Sequence, residues 1–363
     1  MSVVLINGSA PRDGLTNLFL CHLEGLRAIG GNVSTVTFID PGLPDQYPYT
    51  GERIHGRRFP GSARATMALN RMIPVYARKA ARLPGLIHAN DVYLARAVHY
   101  KHPVVVTIAD LGKVLTSYYP RPYSWVHNFH VRYVQDCDAV IVPSEYVRAD
   151  VITALSLAPE TVHTVPLFPL LPPRPRPESL PSRPTPQQPW TIGFVAVDRP
   201  HKNIGRFLDI LRRLDDRYRG LLVSRLTPAH QRHAEPLLRK GKLSVIQWSE
   251  SLAPVYASMQ ILLFPSLFEG FGLPVVEAMS QGVPVVVTSR TSLPELVGEG
   301  GLRVDPDSSL GWIEAVERLS DPAEQLRWAQ RAWDRAMVFS RERTGRALRF
   351  VYEKVSPGSL ETT

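Results

Sequence analysis

The sequence predicts a doubly wound α/β protein made of two Rossmann-like halves with a cleft between them. Three observations predict it. Short, near-continuous Val/Ile/Leu runs recur along the chain, segments with helical spacing lie between them, and one proline-dense stretch interrupts the alternation before it restarts. Apolar runs without polar alternation are what parallel strands need when helices cover both sheet faces. A βα rhythm implies helices on both sides of a mostly parallel sheet.

Taken in order, VVLI (3–6) is the first strand, and VVVTI (104–108) and AVIVP (139–143) continue the first sheet. WTIGFV (190–195), ILLFP (261–265) and VPVVVT (283–288) build the second. Amphipathic segments around 67–82, 126–136, 203–214 and 309–319 predict the intervening helices, and FSRERTGRALRFVYEKV (339–355) a closing one. From Pro166 to Pro189 the chain reads PLFPLLPPRPRPESLPSRPTPQQP, with ten prolines. That excludes a helix or a central strand and predicts a semi-rigid extended linker. The expected division is therefore an N-terminal half at 1–166, a linker at 167–189 and a C-terminal half at 190–338. A closing helix at 339–363 is expected to pack back on the first half. Separate halves on such a connection predict hinge motion.

The 363 residues suit two domains, and a 44% hydrophobic, 21% charged composition is that of a globular chain with ample core. With Cys21 and Cys137 the only cysteines, neither a disulfide framework nor a Cys-based metal site is available. That composition and an N-terminus without a charged n-region predict a cytoplasmic protein. No run reaches the roughly 18 apolar residues of a spanning helix. The net charge of +9 favours anionic partners, among them nucleotides, phosphorylated lipids and a membrane surface. No nucleic-acid motif accompanies it.

FEGFGLPVVEAM (268–279) is the densest stretch of candidate chemistry. Glu269 and Glu277 flank a Gly-Phe-Gly bend and a helix that starts near Leu273, with Pro274 where a missing N–H costs nothing. The amides of Gly270, Phe271, Gly272 and Leu273 then sit at a helix N-terminus, which favours an anion such as phosphate. Glu269 is placed to accept from hydroxyls beside that phosphate, and Glu277 from a vicinal diol such as a ribose. The bland alternative is a strand–turn–helix with two solvated glutamates.

TIGFVAVDRPHKN (191–203) ends a strand in a basic turn. Lys202 at a helix start opposes the dipole unless an anion is bound, so Arg199 and Lys202 are candidate diphosphate ligands; a solvated basic turn is the alternative. Asp110 closes the strand at 104–108, as a cleft residue or as a cap for the next segment. Gly8 and Gly14 flank a polar loop in NGSAPRDGLTNL (7–18), weak evidence for phosphate contact. His127 and His130, in HNFH, have no third ligand and read as surface or acceptor-side residues. No metal motif stands out.

These residues resemble the retaining glycosyltransferases of family four, which have the GT-B fold. FEGFGLPVVEAMSQGVPVVVTSRTSLPELVGEGGLRVDP (268–306) carries the family's Glu-x7-Glu, its G-x-P-V-V strand and its S-L-P-E run. QWSESLAPVYASMQILLFPS (247–266) is similar to the lead-in, DRPHKN to the lysine loop and AVIVPSEYVRADVI (139–152) to the end of the first domain. The resemblance is specific over 247–306 and loose over 1–100.

It implies that Glu269 contacts donor-sugar hydroxyls, Glu277 the ribose, the 270–273 amides the sugar and phosphates, and Lys202 the diphosphate. It implies transfer of a hexose from a nucleotide sugar with retention, without a metal or other cofactor. Two positions depart from the pattern. The family's arginine falls on Val197, with Arg199 two residues on as a substitute cation. The family's Thr-x-His-Asp reads Thr107-Ile108-Ala109-Asp110, without the histidine, leaving Asp110 as the first-half catalytic candidate. Ala109 and Val197 motivate the alternative of a non-catalytic relative that binds nucleotide sugar or glycan.

The motif is most similar to mannosyl- or rhamnosyl-transferring branches, so mannose and a GDP-sugar are favoured over a UDP-sugar. The basic, aromatic loops at 47–61 and 117–133 suit a glycan or lipid-linked acceptor. ALNRMIPVYARKAARL (68–83) sets Arg71, Arg78 and Arg82 on one helical face. It reads either as a peripheral membrane contact or as a helix packed on the sheet.

Overall fold

The computed structural model describes residues 3–7, 14–31, 33–39, 52–55, 74–75, 77–118, 121–247 and 252–358. Most of the 47–61 loop, residues 8–13 of the first-strand loop, Arg71 and Tyr119 lie outside them. The chain forms two compact units, Met1–Leu167 with Ser340–Thr363, and Phe168–Phe339.

Unit 1 holds a seven-stranded sheet of order β3-β2-β1-β4-β5-β6-β7. Its strands are β1 (Val3–Asn7), β2 (Val33–Ile39), β3 (Glu52–His55), β4 (Leu86–Ala89), β5 (Val104–Thr107), β6 (Ala139–Val142) and β7 (Val162–Thr164). All pairings are parallel. Alternate residues of one strand enter two different cores, which is why its apolar runs are unbroken. Val104 and Val106 join a cluster with Ile87, Val140 and Leu94. Val105 points the other way, to Ala139, Leu348, Val351 and Tyr352.

Helices α1 (Gly14–Ala28), α2 (Arg121–Val131) and α3 (Glu145–Leu155) follow β1, β5 and β6. A 3-10 turn, Arg132–Asp136, ends the helical segment expected around 126–136. At 77–83, Ala77 and Ala80 are buried in the core and Arg78 stacks over Tyr100, so the described apolar side of that segment faces the protein.

Unit 2 holds a six-stranded sheet of order β10-β9-β8-β11-β12-β13, again all parallel. Its strands are β8 (Trp190–Val195), β9 (Tyr218–Val223), β10 (Leu243–Ile246), β11 (Ile261–Phe264), β12 (Val285–Thr288) and β13 (Leu302–Val304). Its helices are α4 (Ile204–Arg213), α5 (Pro228–Arg239), α6 (Ala253–Ala257), α7 (Leu273–Ser280), α8 (Leu293–Val297), α9 (Ser309–Leu319) and α10 (Pro322–Ala336).

The proline-rich segment, expected as a semi-rigid extended linker, is strapped onto unit 2. Arg176 pairs with Asp334 through two bonds of 2.8 and 2.9 Å. Trp333 Nε1 donates to Arg174 O at 2.7 Å, Gln330 Nε2 to Pro177 O at 2.9 Å and Gln281 Nε2 to Pro172 O at 2.8 Å. Proline has no N–H to give, but its carbonyl still accepts, and side chains of the unit supply the donors.

The closing helix α11 (Arg341–Val355) belongs to unit 1 and lies along α1. The two cross at glycines: a Cβ on Gly345 would stand 2.0 Å from Gly25 O. Thr344 Oγ1 also donates to Pro166 O at 2.6 Å. Among the described residues no helix is long and apolar enough to cross a membrane.

Candidate functional site

In a sheet of order β10-β9-β8-β11-β12-β13 the direction of strand progression reverses between β8 and β11. Ligands of open α/β sheets bind outside the carboxyl ends of the strands at such a point. The loop leaving β8 carries Arg199 and Lys202, and the loop leaving β11 carries Glu269. Topology therefore brings together residues the sequence separates, and Lys202 Nζ lies 2.6 Å from Glu269 Oε1. Both side chains are largely buried, at 18% and 9% exposure.

Backbone contacts stitch the two loops. Leu267 N donates to His201 O at 2.7 Å and Ser266 Oγ donates to the same carbonyl at 3.1 Å. Asn203 Nδ2 donates to Pro265 O at 3.2 Å from a left-handed backbone, φ 56°, a conformation asparagine tolerates better than most residues. Lys202 is thus the last residue of a short 3-10 turn fixed against the β11 loop, with its ammonium 5.7 Å from the Phe264 ring centre.

Gly272 precedes α7 with φ 103° and offers no side-chain cap. Among the described residues, the amides of Gly272 and Leu273 have no hydrogen-bond acceptor. These are two of the four amide positions singled out in the sequence, and they stand at the head of α7. The S-L-P-E run explains how they are held. Ser292 Oγ lies 3.0 Å from Glu269 O and 3.3 Å from Phe271 O, its hydroxyl shared between them. A Cβ on Gly272 would come within 2.7 Å of Leu293 Cδ2. Phe271 is buried against Phe339, ring centres 5.6 Å apart.

Glu277, on α7, is 7% exposed and accepts from the Tyr256 hydroxyl at 2.9 Å through Oε2. Burial pushes its carboxyl up to about 7, and the Tyr256 hydrogen bond acts weakly in the opposite direction. Neither glutamate is the solvated residue of the bland alternative.

The other expected residues are placed differently. The Arg199 side chain is exposed and makes no hydrogen bond or ion pair among the described residues, while its carbonyl accepts from Lys202 N at 3.0 Å. Val197 is 44% exposed. Asp198, which reads as an ordinary loop residue, has a buried side chain that accepts from Thr227 N at 2.7 Å and meets His230 Nδ1 at 2.9 Å. It ties the β8 loop to the start of α5. In unit 1, Asp110 Oδ1 accepts from Gly112 N at 2.7 Å in a local turn, beside a half-buried Ala109; the short helix Gly112–Leu115 that follows has Leu111, not Asp110, at its N-cap. Gly14 is the first residue of α1.

His127 and His130 correct the surface reading. They are 5% and 0% exposed and meet the Tyr93 ring edge-on at 5.7 and 5.6 Å. Burial is the main cause that takes them down to about 3 and about 4. Among the described residues no group of three or more His, Cys, Asp or Glu could hold a metal ion.

Tyr256, Asn203 and Ser292 are the site residues to which motif reading gives no role, although Asn203 closes the lysine loop and Ser292 opens the S-L-P-E run. Tyr256 lies inside the matched lead-in, five residues before β11, and its aromatic body reads as core. Only the buried carboxylate opposite shows what its hydroxyl does.

Two family models match the chain. "Glycosyltransferase Family 4" matches residues 12–168, and "Glycosyl transferases group 1" matches 189–321. A stretch of 58 residues is 55% identical to O-antigen chain mannosyltransferase B of Escherichia coli, covering 16% of this chain and 15% of that protein. The MMP alpha-(1->4)-mannosyltransferase of Mycolicibacterium hassiacum is 30% identical over 61% of this chain and 56% of its own length. These matches therefore span just over half of a curated relative, or far less. Among solved structures, sucrose-phosphate synthase of Thermosynechococcus elongatus aligns with TM-score 0.75 at 20% identity, over 97% of this chain and 98% of that one. Anabaena HepE in complex with UDP-glucose aligns with TM-score 0.75 at 18% identity, over 98% and 99%. At such identities the likeness is one of fold, and it is that of the GT-B glycosyltransferases.

Proposed function

The chain belongs to family 4 of the GT-B glycosyltransferases, and from that premise we propose that it moves a hexose from a nucleotide sugar to a hydroxyl of a glycan or lipid-linked acceptor. The observation that carries the reading is the meeting of Lys202 and Glu269 at the switch point, before the uncapped head of α7. A fixed cation and unpaired amides offset the charge that develops on a departing diphosphate. Glu269 accepts from sugar hydroxyls beside it, Glu277 from the ribose, and Arg199 is a second cation for the phosphates. Asp110 is the catalytic candidate from unit 1, and Gly14 a phosphate contact.

In the proposed reaction the bond from the sugar C1 to the phosphate oxygen breaks. The acceptor oxygen bonds to C1 on the same face, and its proton passes to the departing phosphate. Configuration is retained and no metal takes part. Mannose is the favoured sugar and GDP the favoured carrier, supported by the mannosyltransferases among the relatives. The complex of HepE with UDP-glucose makes UDP the competitor to test. The setting we propose is the cytoplasm, with a peripheral membrane contact through Arg78 and Arg82. No nucleic-acid partner is part of the proposal.

A second reading, a non-catalytic binder of nucleotide sugar or glycan, is favoured by Ala109 in place of a histidine and by Val197 in place of an arginine. One series of measurements separates the two. Thermal shift with GDP, UDP, ADP and their sugars identifies a donor, and an absence of any shift sinks both readings of the donor site. Turnover that collapses in Glu269→Ala and Lys202→Ala supports the enzyme. Donor binding without turnover on a broad acceptor panel supports the binder.

A further inference from the structure

We propose that Tyr256 is a positioning residue for ribose recognition, holding one oxygen of the Glu277 carboxylate so that the other is presented to the ribose hydroxyls. The inference rests on the donor-site reading above. Tyr256 is fully buried on α6, and its hydroxyl donates to Glu277 Oε2 at 2.9 Å. Glu277 Oε1 has no hydrogen-bond partner among the described residues. That oxygen is not among the buried side-chain atoms left without a partner, so it keeps contact with solvent and its acceptor capacity is open to a ligand. A vicinal diol brings donors that fit this open edge.

The core position of Tyr256 points the same way. Phenylalanine would fill the same volume with no polar atom to satisfy, so a hydroxyl there costs stability unless it is bonded. Without that bond a glutamate on a flexible stem has no fixed oxygen. With it, one lone-pair edge is spent inside the protein and the opposite edge is aimed by the rigid tyrosine ring. Ser280 Oγ holds the Glu277 carbonyl at 2.7 Å, which fixes the backbone beneath the carboxylate.

The test compares GDP with 2′-deoxy-GDP, and UDP with 2′-deoxy-UDP, by calorimetry. The wild type is expected to prefer the ribonucleotide by about tenfold, since a site built to accept from a hydroxyl rejects an analogue lacking it. Tyr256→Phe is expected to weaken the ribonucleotide about fivefold to tenfold and to narrow that preference. Glu277→Gln, which keeps an acceptor for Tyr256 but turns the other atom into a donor, is expected to abolish the preference. In the Glu277→Gln background, adding Tyr256→Phe should change affinity little. A full Tyr256→Phe effect persisting in that background makes the tyrosine merely structural and overturns the proposal. So does Tyr256→Phe with wild-type affinity and preference. Nucleotide binding by the wild type with no ribose preference overturns it while leaving the donor site standing. Binding of neither nucleotide brings down the donor reading itself.

Discussion

Lys202 Nζ and Glu269 Oε1 stand 2.6 Å apart although they lie 67 positions apart in the chain, because the strands before them are neighbours at the reversal of the second sheet. The pair is mostly withdrawn from water, so each charge depends on the other until a ligand arrives.

Glu269→Ala leaves Lys202 as a largely buried cation without its partner. Stability should fall by about 3 kcal/mol, and turnover by about 10²-fold or more. Because the ammonium is released, inorganic pyrophosphate should raise the melting temperature of Glu269→Ala more than that of the wild type. Equal shifts in the two proteins would show that Lys202 does not meet phosphate.

Glu277 sets a dependence on pH with a definite sign. Its folded value of about 7 lies above the ordinary carboxylate range. Between the two values the folded chain holds a proton the unfolded chain has lost, so stability declines as pH rises toward 7. Glu277→Gln removes that decline. It should therefore gain stability over the wild type at pH 8.5, by roughly 2–3 kcal/mol at most, and gain little at pH 5. Nucleotide affinity should move oppositely, strengthening in the wild type as the carboxylate ionises. Thermal melts and calorimetry at the two pH values check both halves, with Glu277→Gln as the control for titration of the phosphate itself.

Asn203 combines a left-handed backbone with a hydrogen bond to Pro265 O. Asn203→Gly keeps the first and loses the second, at about 1 kcal/mol. Asn203→Val loses both and should cost about 1–2 kcal/mol more. Both should raise the KM for the donor more than they lower kcat, since they loosen the loop that fixes Lys202. Equal stabilities for the two variants would remove the backbone part of this account.

Gly272→Ala meets two obstacles, the φ of 103° and Leu293 Cδ2 at 2.7 Å. The expected loss is about 2–4 kcal/mol. Leu293→Ala should recover only the steric portion, because the backbone strain remains. Denaturant melts of the two single variants and the double variant measure the split.

Strands β8, β11 and β12 are legible in the sequence because both faces are covered and their runs stay apolar. β9 (YRGLLV) is hidden by Arg219, which is exposed, and by Gly220 beside it. The two glutamates are legible through their spacing along one loop and one helix. Tyr256 is not, because its contact with Glu277 reaches across an intervening strand, and no local pattern records such a distance. The burial of His127 and His130 escapes for a related reason, since it is set by Tyr93 from another part of the chain. In the proline-rich strap, composition reports the missing N–H donors but cannot say which side chains find the carbonyls.

The crossing of α1 and α11 at Gly25 and Gly345 has a consequence for how the protein is made. Unit 2 is one continuous stretch of chain, Phe168–Phe339, whereas unit 1 is assembled from the segments on either side of it. On the ribosome, residues 1–167 emerge early, but the helix that covers Leu26 and Val105 is translated only after the whole of unit 2. The first sheet must therefore wait with part of one apolar face, around Val105, Ala139 and Ile141, without α11 while its neighbour is synthesised. Unit 2 has all its chain in one stretch and can complete its packing on emerging, whereas unit 1 can do so only when α11 arrives.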